Sequence, residues 1–356
     1  MIFTVILTAL IFEFINGFHD TANSIATVVS TKVLTPRQAI VMAAVSNLFG
    51  ALWGTAVAKT IAAGLVDTSI VSSQVLICAL IGGITWNLIT WYVGLPSSSS
   101  HALIGGLCGA ALAAAGNDWD VIIWSQPNAD HWYQGKGLLW KVVVPMVLSP
   151  LAGFFLSFFI MALLYYFLSA VNPNRVRTVF NKLQIASAAS MGFMHGTNDA
   201  QKTMGIIALA LLAGTAAGDF KDLPSWLSFL HTEPDAKDLT IATWIKLICA
   251  LTMAAGTAAG GWKIIKTIGH QMVKLQPIHG FAAETSSSLC LSVASHFGIP
   301  VSTTHNISCS ILGVGAAKNF NTIRWTVVER MVWAWFLTIP CSGIVAYLLM
   351  LLFAKS

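Results

Sequence analysis

Apolar residues fall in runs too long for the core of a soluble domain. Val142–Leu168 and Met331–Phe353 each exceed the roughly 20 residues that carry a helix across a bilayer. Polar positions do not alternate with apolar ones along these runs, so spanning helices are predicted rather than the strands of a membrane barrel. The first run, Ile2–Ile15, lacks a basic leader and meets Glu13 and Asn16 instead of small cleavage-site residues, so it is expected to remain as a helix. Gly116–Gly137 and Asp219–Asp238 are too short and polar to be more than connections. The pattern therefore predicts an all-α, polytopic transmembrane bundle with no inserted soluble domain.

Composition sharpens this picture. Of 356 residues, 56% are hydrophobic and only 9% charged, far below the quarter or so of a water-soluble domain. The six cysteines (Cys78, Cys108, Cys249, Cys290, Cys309, Cys341) lie in apolar segments without metal-ligand spacing and are expected to be inert thiols. The net charge of +5 does not point to nucleic acid, because the basic residues gather in four short stretches: Lys32 and Arg37; Arg175, Arg177 and Lys182; Lys263, Lys266 and Lys274; Lys318, Arg324 and Arg330. Such stretches mark cytoplasmic loops. Asp118, Asp120 and Asp130, and Asp219, Asp222, Glu233, Asp235 and Asp238, mark the opposite side. Threading the chain through these loops puts the amino terminus outside a cell inner (plasma) membrane. Trp53, Trp91, Trp124, Trp132 and Trp262, near segment ends, fit interfacial belts.

Two motifs recur in the same order in both halves. Gly17–Ser24 (GFHDTANS) matches Gly196–Thr203 (GTNDAQKT), superposing Asp20 on Asp199, and Gly94–His101 (GLPSSSSH) matches Gly298–His305 (GIPVSTTH), superposing Pro96 on Pro300. The loop charges give the copies opposite directions, so residues 1–170 and 171–356 are expected to be two inverted-topology repeats, an architecture of secondary transporters.

Glu13, Asp20, Asp199, Lys202 and Glu284 sit in apolar surroundings, where an ionisable group costs at least about 2.5 kcal/mol. Repetition singles out Asp20 and Asp199 for function, while Glu13 and Glu284 could be transport residues or structural partners. Gly17 and Gly196, just before the aspartates, predict local unwinding of their helices. In the second motif pair a proline precedes hydroxyls (Ser97, Ser98, Ser99, Ser100; Ser302, Thr303, Thr304), as suits a helix start with free N–H groups and a positive dipole. Such ends bind oxyanions. Gly94–Gly116 and Gly298–Ala317 are accordingly read as half-helices or re-entrant tips meeting near the midplane. Carboxylates beside an anion repel it unless protonated or holding a cation, so Asp20 and Asp199 imply coupling to protons or sodium. Lys202 could pair with Asp199 or meet the anion. His19, His101, His195 and His305 do not form a close helical ligand pair; no metal site is predicted, and His101 and His305 are expected to orient the hydroxyl loops. His131, His231, His270, His279 and His296 receive no role.

At these residues the sequence resembles the inorganic phosphate transporter (PiT) family, in particular its bacterial low-affinity members. The resemblance rests on GFHDTAN at Gly17–Asn23, GLPSSSSH at Gly94–His101, HGTNDAQK at His195–Lys202 and IPVSTTH at Ile299–His305, with a similar last segment around Arg324–Pro340. It implies a symporter importing inorganic phosphate, with Asp20, Asn23, Asn198 and Asp199 in a broken-helix part of the site. Ser98, Ser99, Ser100, Ser302, Thr303 and Thr304 would form the facing tips; Glu284, ionisable in apolar surroundings, is grouped with the two aspartates as an ion-coupling residue on that separate ground. The resemblance also implies a homodimer and, from bacterial relatives, proton-coupled movement of phosphate partly as a neutral complex with a divalent metal. Lys202, where many relatives have asparagine, inclines the reading to protons over sodium. No tightly bound cofactor is expected.

Sulfate or sodium-coupled anion symport remains an alternative within the same family. An intramembrane serine hydrolase using Ser97–Ser100 with His101 or His305 lacks a G-x-S-x-G elbow and gives no reason for duplication. A passive anion channel is disfavoured by buried aspartates, which repel a permeating anion. The reading is of a transporter and not an enzyme.

Overall fold

A computed structural model describes residues 1–126, 135–220, 224–232 and 240–353. Asp130, His131, Trp132, Asp222, Glu233, Asp235 and Asp238 lie outside these residues.

The chain forms α1 (Ile2–Ser30), α2 (Pro36–Ala51), α3 (Ala56–Ala63), α4 (Ser73–Val93), α5 (Ser99–Ala114), α6 (Val144–Leu168, continuing a π turn at Leu139–Val143) and α7 (Pro173–Ala217). It continues as α8 (Thr243–Ala259), α9 (Trp262–Lys266, followed by a π turn at Thr267–Gln271), α10 (Pro277–His296), α11 (Thr303–Lys318) and α12 (Trp325–Phe353). Among the described residues the only β pairing is two isolated bridges. The boundaries follow local chemistry. Thr35 and Gln38 close a capping box ahead of Pro36, Asn172 caps α7 ahead of Pro173, and Ser72 caps α4. Gly94 and Gly218 end α4 and α7 with φ of 75° and 80°, a left-handed turn that favours glycine.

Among the described residues five helices, α1, α4, α6 with its π turn, α7 and α12, are long and apolar enough to cross a membrane, or up to seven spans if two bent pairs each count as one. Those pairs are α2 with α3, bent by 70°, and α8 with α9, bent by 62°. On α6, Val147, Leu151, Phe155 and Phe159 are exposed, and on α12 so are Trp333, Phe336, Ile344 and Leu348. Apolar rows of this kind face lipid. The protein is a helical membrane protein.

The two halves use their elements in the same order. α1 packs on α8 and α7 on α2; α3 packs on α7 and α9 on α1; α5 packs on α12 and α11 on α6; α4 packs on α1 and α10 on α7. Thr60 on α3 donates to the Gly298 carbonyl at 2.7 Å, while Thr267, in the π turn after α9, donates to the Gly94 carbonyl at 2.8 Å. Two apolar cores fill the molecule. Along α1 the first takes Val5, Ala9 and Phe12 and the second takes Ala22–Val28; along α7 the order is reversed, with Phe180–Met191 in the second and Ala200–Leu211 in the first. α1 and α7 thus run antiparallel, and Asp20 and Asp199 fall where one core gives way to the other.

The expected unwinding at Gly17 and Gly196 does not occur, since α1 and α7 are helical throughout. These glycines allow close approach instead. A Cβ on Gly17 would lie 2.5 Å from the Met253 carbonyl oxygen of α8, and one on Gly196 would collide with the Asn47 backbone of α2. The broken helices are the bent pairs, at Leu52–Thr55 and Gly260–Gly261.

Candidate functional site

Ser98 and Ser302 cap the two short helices, each accepting the backbone N–H three residues on, from His101 at 3.2 Å and His305 at 3.1 Å. Both helices therefore begin inside the protein with their positive ends unshielded by charge of their own. The His101 and His305 rings meet edge to face at 4.9 Å, and His305 stacks on Trp335 at 4.2 Å. The Trp335 indole donates to the Pro96 carbonyl at 3.0 Å. The histidines thus join the tips through their backbone and ring faces. His101 Nδ1 and His305 Nε2 have no protein hydrogen-bond partner among the described residues.

Facing the tips are the midpoints of α1 and α7. Asn23 Nδ2 donates to Thr303 Oγ1 at 3.1 Å and to Thr304 Oγ1 at 2.9 Å. Thr303 in turn donates to Asp199 at 2.9 Å, and Thr304 to Asp20 at 3.3 Å. Lys202 Nζ donates to Asp199, to Ser100 Oγ and to the Val301 carbonyl, the last at 3.0 Å. Four elements, α1, α5, α7 and α11, so meet in one hydrogen-bonded cluster. Asp20, Asp199 and Lys202 are at most 2% exposed, so the cluster is closed to both sides. Two carboxylates against one ammonium leave an anionic excess that a bound cation or proton would offset.

Two neighbours carry the cluster outward. His19 Nδ1 is 2.7 Å from Asp20 Oδ1, and its Nε2 is 3.1 Å from Thr90 Oγ1, which pairs with Ser97. His195 Nε2 is 3.0 Å from Asp199 Oδ2, and its Nδ1 is 3.1 Å from Asn47 Oδ1. The i,i+4 spacing of His195 and Asp199 is a sequence signal for this pair; a histidine and a carboxylate one turn apart meet on one helix face. Asp20, His195 and Asp199 each offer a ligand atom within 4.8 Å of the others, a spacing that suits a small cation.

Not every expected residue joins the cluster. Asn198 points away, donating to Ser295 Oγ at 3.1 Å and bracing the segment ahead of the second tip. Ser99 Oγ is buried with no protein partner. Glu284 lies apart, accepting from Thr27 and Ser187, with Gln184 Nε2 at 3.5 Å. Glu13 accepts from Thr203.

The sequence profile of the phosphate transporter family matches residues 16–346. A Bacillus subtilis protein named "Probable low-affinity inorganic phosphate transporter" is 43% identical over 351 residues, covering 97% of this chain and 96% of that one. A Rhizobium meliloti protein of the same name is 41% identical over 344 residues, covering 96% and 93%. The solved structure titled "The sodium-dependent phosphate transporter" superposes with a TM-score of 0.79 over 99% of both chains at 22% identity, which shows a shared fold.

Proposed function

The chain belongs to the phosphate transporter family, and we propose that it is a proton-coupled symporter that imports inorganic phosphate by alternating access. The observation that carries this reading is the position of Lys202, whose ammonium bridges Asp199, Ser100 and the Val301 carbonyl. A tethered cation here takes the place of a diffusible one and leaves protonation of a carboxylate as the means of coupling. Phosphate would enter between the N-termini of α5 and α11, where Ser98, Ser99, Ser100, Ser302, Thr303 and Thr304 supply hydroxyls and N–H groups, with Asn23 and Lys202 on the facing side and Asn198 bracing the segment ahead of the second tip. Asp20 and Asp199 serve the coupling ion at the cluster, Glu284 stands apart from them, and His101 and His305 hold the tips in register. A divalent metal would travel as part of the cargo, as a neutral complex with phosphate.

The antiparallel run of α1 and α7, the matched bent pairs and the exchanged contacts of Thr60 and Thr267 support reading residues 1–170 and 171–356 as inverted repeats. Thr31, Arg177 and Gln276 line one cavity, and the Arg324 N–H donates to the Met272 carbonyl at 3.1 Å. The basic stretches around Lys32, Arg177, Lys274 and Arg324 so share one end, which we assign to the cytoplasm, with the amino terminus outside the plasma membrane. The functional unit is read as a homodimer.

The test is uptake of radiolabelled phosphate into liposomes holding the purified protein. A proton gradient should drive accumulation without sodium, excess sulfate should not compete, and Asp20→Asn and Asp199→Asn should each abolish accumulation while the protein stays folded. Accumulation driven only by sodium would remove the proton reading, and strong sulfate competition would change the substrate.

A further inference from the structure

Along α1 and its C-cap the polar residues Glu13, Asn16, Asp20, Asn23, Ser24, Thr27 and Thr31 follow one another at one, three or four positions, and so lie on one face of the helix. All but Thr31 are buried. The facing residues on α7 are Thr203, Lys202, Asp199, His195, Ser187 and Gln184, met by the bonds of Glu13 to Thr203 and of Thr31 to Gln184 at 2.9 Å. A polar seam therefore runs the length of the α1–α7 contact, well beyond the cluster that faces the tips.

Glu13 and Glu284 lie along this seam in matching places on either side of Asp20. Glu13 lies seven residues before Asp20, and Thr27, which donates to Glu284, lies seven residues after it. At 1.5 Å per residue each is about 10 Å along the axis from Asp20, too far to touch phosphate held at the tips. Both carboxyls are fully buried, where an ionised carboxylate is expensive and a protonated one is not. Glu13 Oε1, Asn16 Oδ1, Asn23 Oδ1 and Ser24 Oγ have no protein partner among the described residues, and buried polar atoms of this kind are where water completes a hydrogen-bonded chain. The titratable groups that act on Glu13 are Asp199 and Lys202 of α7 and Cys249 of α8. Those facing Glu284 from α1 and α7 are hydroxyls and one amide, with no charged side chain among them.

Beyond Glu284 the seam reaches water. Gln184, within reach of Glu284, accepts from Thr31, and Thr31 lines a cavity of about 550 Å³ with Arg177, Asn174, Ser169 and Gln276 at the basic end of the molecule.

We propose, resting on the proton-coupled reading above, that Glu13 and Glu284 are the two terminal proton carriers of the transport path. Each exchanges one proton per cycle between the central aspartate site and the aqueous face on its side. A proton taken up by the Glu13 carboxylate passes inward to the centre. One leaving the centre passes by the Ser24 and Thr27 hydroxyls to the Glu284 carboxylate, and from there to water in the cavity. Neither residue binds phosphate, and Thr203, Thr27, Ser187 and Gln184 are positioning residues for them.

The experiment separates proton movement from phosphate movement in the same liposomes. Glu13→Gln and Glu284→Gln are compared with the parent in net uptake driven by a proton gradient, and in exchange of labelled for unlabelled phosphate at equal pH on both sides. The expected result is a loss of net uptake of tenfold or more with exchange within about twofold of the parent, and partial rescue by Glu13→Asp and Glu284→Asp. If a Gln variant does not fold, Thr203→Val or Thr27→Val replaces it and should shift the pH profile of net uptake while sparing exchange. Equal losses in uptake and exchange, or no loss in either, overturn the proposal. A parent protein driven by sodium and indifferent to the proton gradient would instead overturn the reading on which it rests.

Discussion

Lys202 stands where the first half of the chain has Asn23, and the asymmetry sets the charge of the site. Removing it by Lys202→Asn would leave Asp199 facing Thr303 and His195 with no fixed cation, and losing one partner of a buried pair costs roughly 3–5 kcal/mol. Proton-driven uptake should fall at least tenfold, and sodium should restore part of it by filling the vacated position. Uptake assayed across a sodium series checks this; a variant equal to the parent would show that Lys202 has no coupling role. Asp20, Asp199, Lys202 and the hydroxyls of both tips were legible in the sequence because each lies in a repeated local motif. The pairings of His195 with Asn47 and of Thr90 with Ser97 and His19 were not, since they join residues from different helices or across a loop, and no spacing rule reaches that far.

At the scale of the element, the sequence located the half-helices well. Pro96 and Pro300 precede runs that become α5 and α11, each of 16 residues and each capped by a serine, Ser98 and Ser302. It misread the glycines before the aspartates, because a glycine that frees the backbone and one that admits a neighbouring helix look the same in one dimension. The close approach makes its own prediction. Gly17→Ala places a methyl 2.5 Å from the Met253 carbonyl, an overpacking that costs about 1–3 kcal/mol. The purified variant should unfold at lower temperature in detergent, with α1 and α8 forced apart. An unchanged melting temperature would mean that the α1–α8 contact is looser than the structure has it.

For the whole molecule, the two long apolar runs Val142–Leu168 and Met331–Phe353 became spans α6 and α12, but which face of each helix meets lipid did not follow from hydropathy. α6 and α12 are apolar all round, so only their packing on α11 and α5 separates inside from outside. Arginine at Phe155 or Phe336, both exposed on the outer surface, should lower the yield of folded protein in the membrane, since a centrally placed arginine costs about 2.5–3.5 kcal/mol on insertion scales. Fluorescence-detected gel filtration of the solubilised variants reads this directly, and full yield would show that these faces do not border lipid.

The exchanged threonine contacts have a mechanical meaning. Thr60 of the first half holds the loop that leads into the second half's tip, and Thr267 of the second half holds the loop that leads into the first. Each door of the passage has its latch mounted on the opposite door. Under the alternating-access reading proposed above, neither would swing by itself, and the pair would work as an airlock that never joins the two compartments.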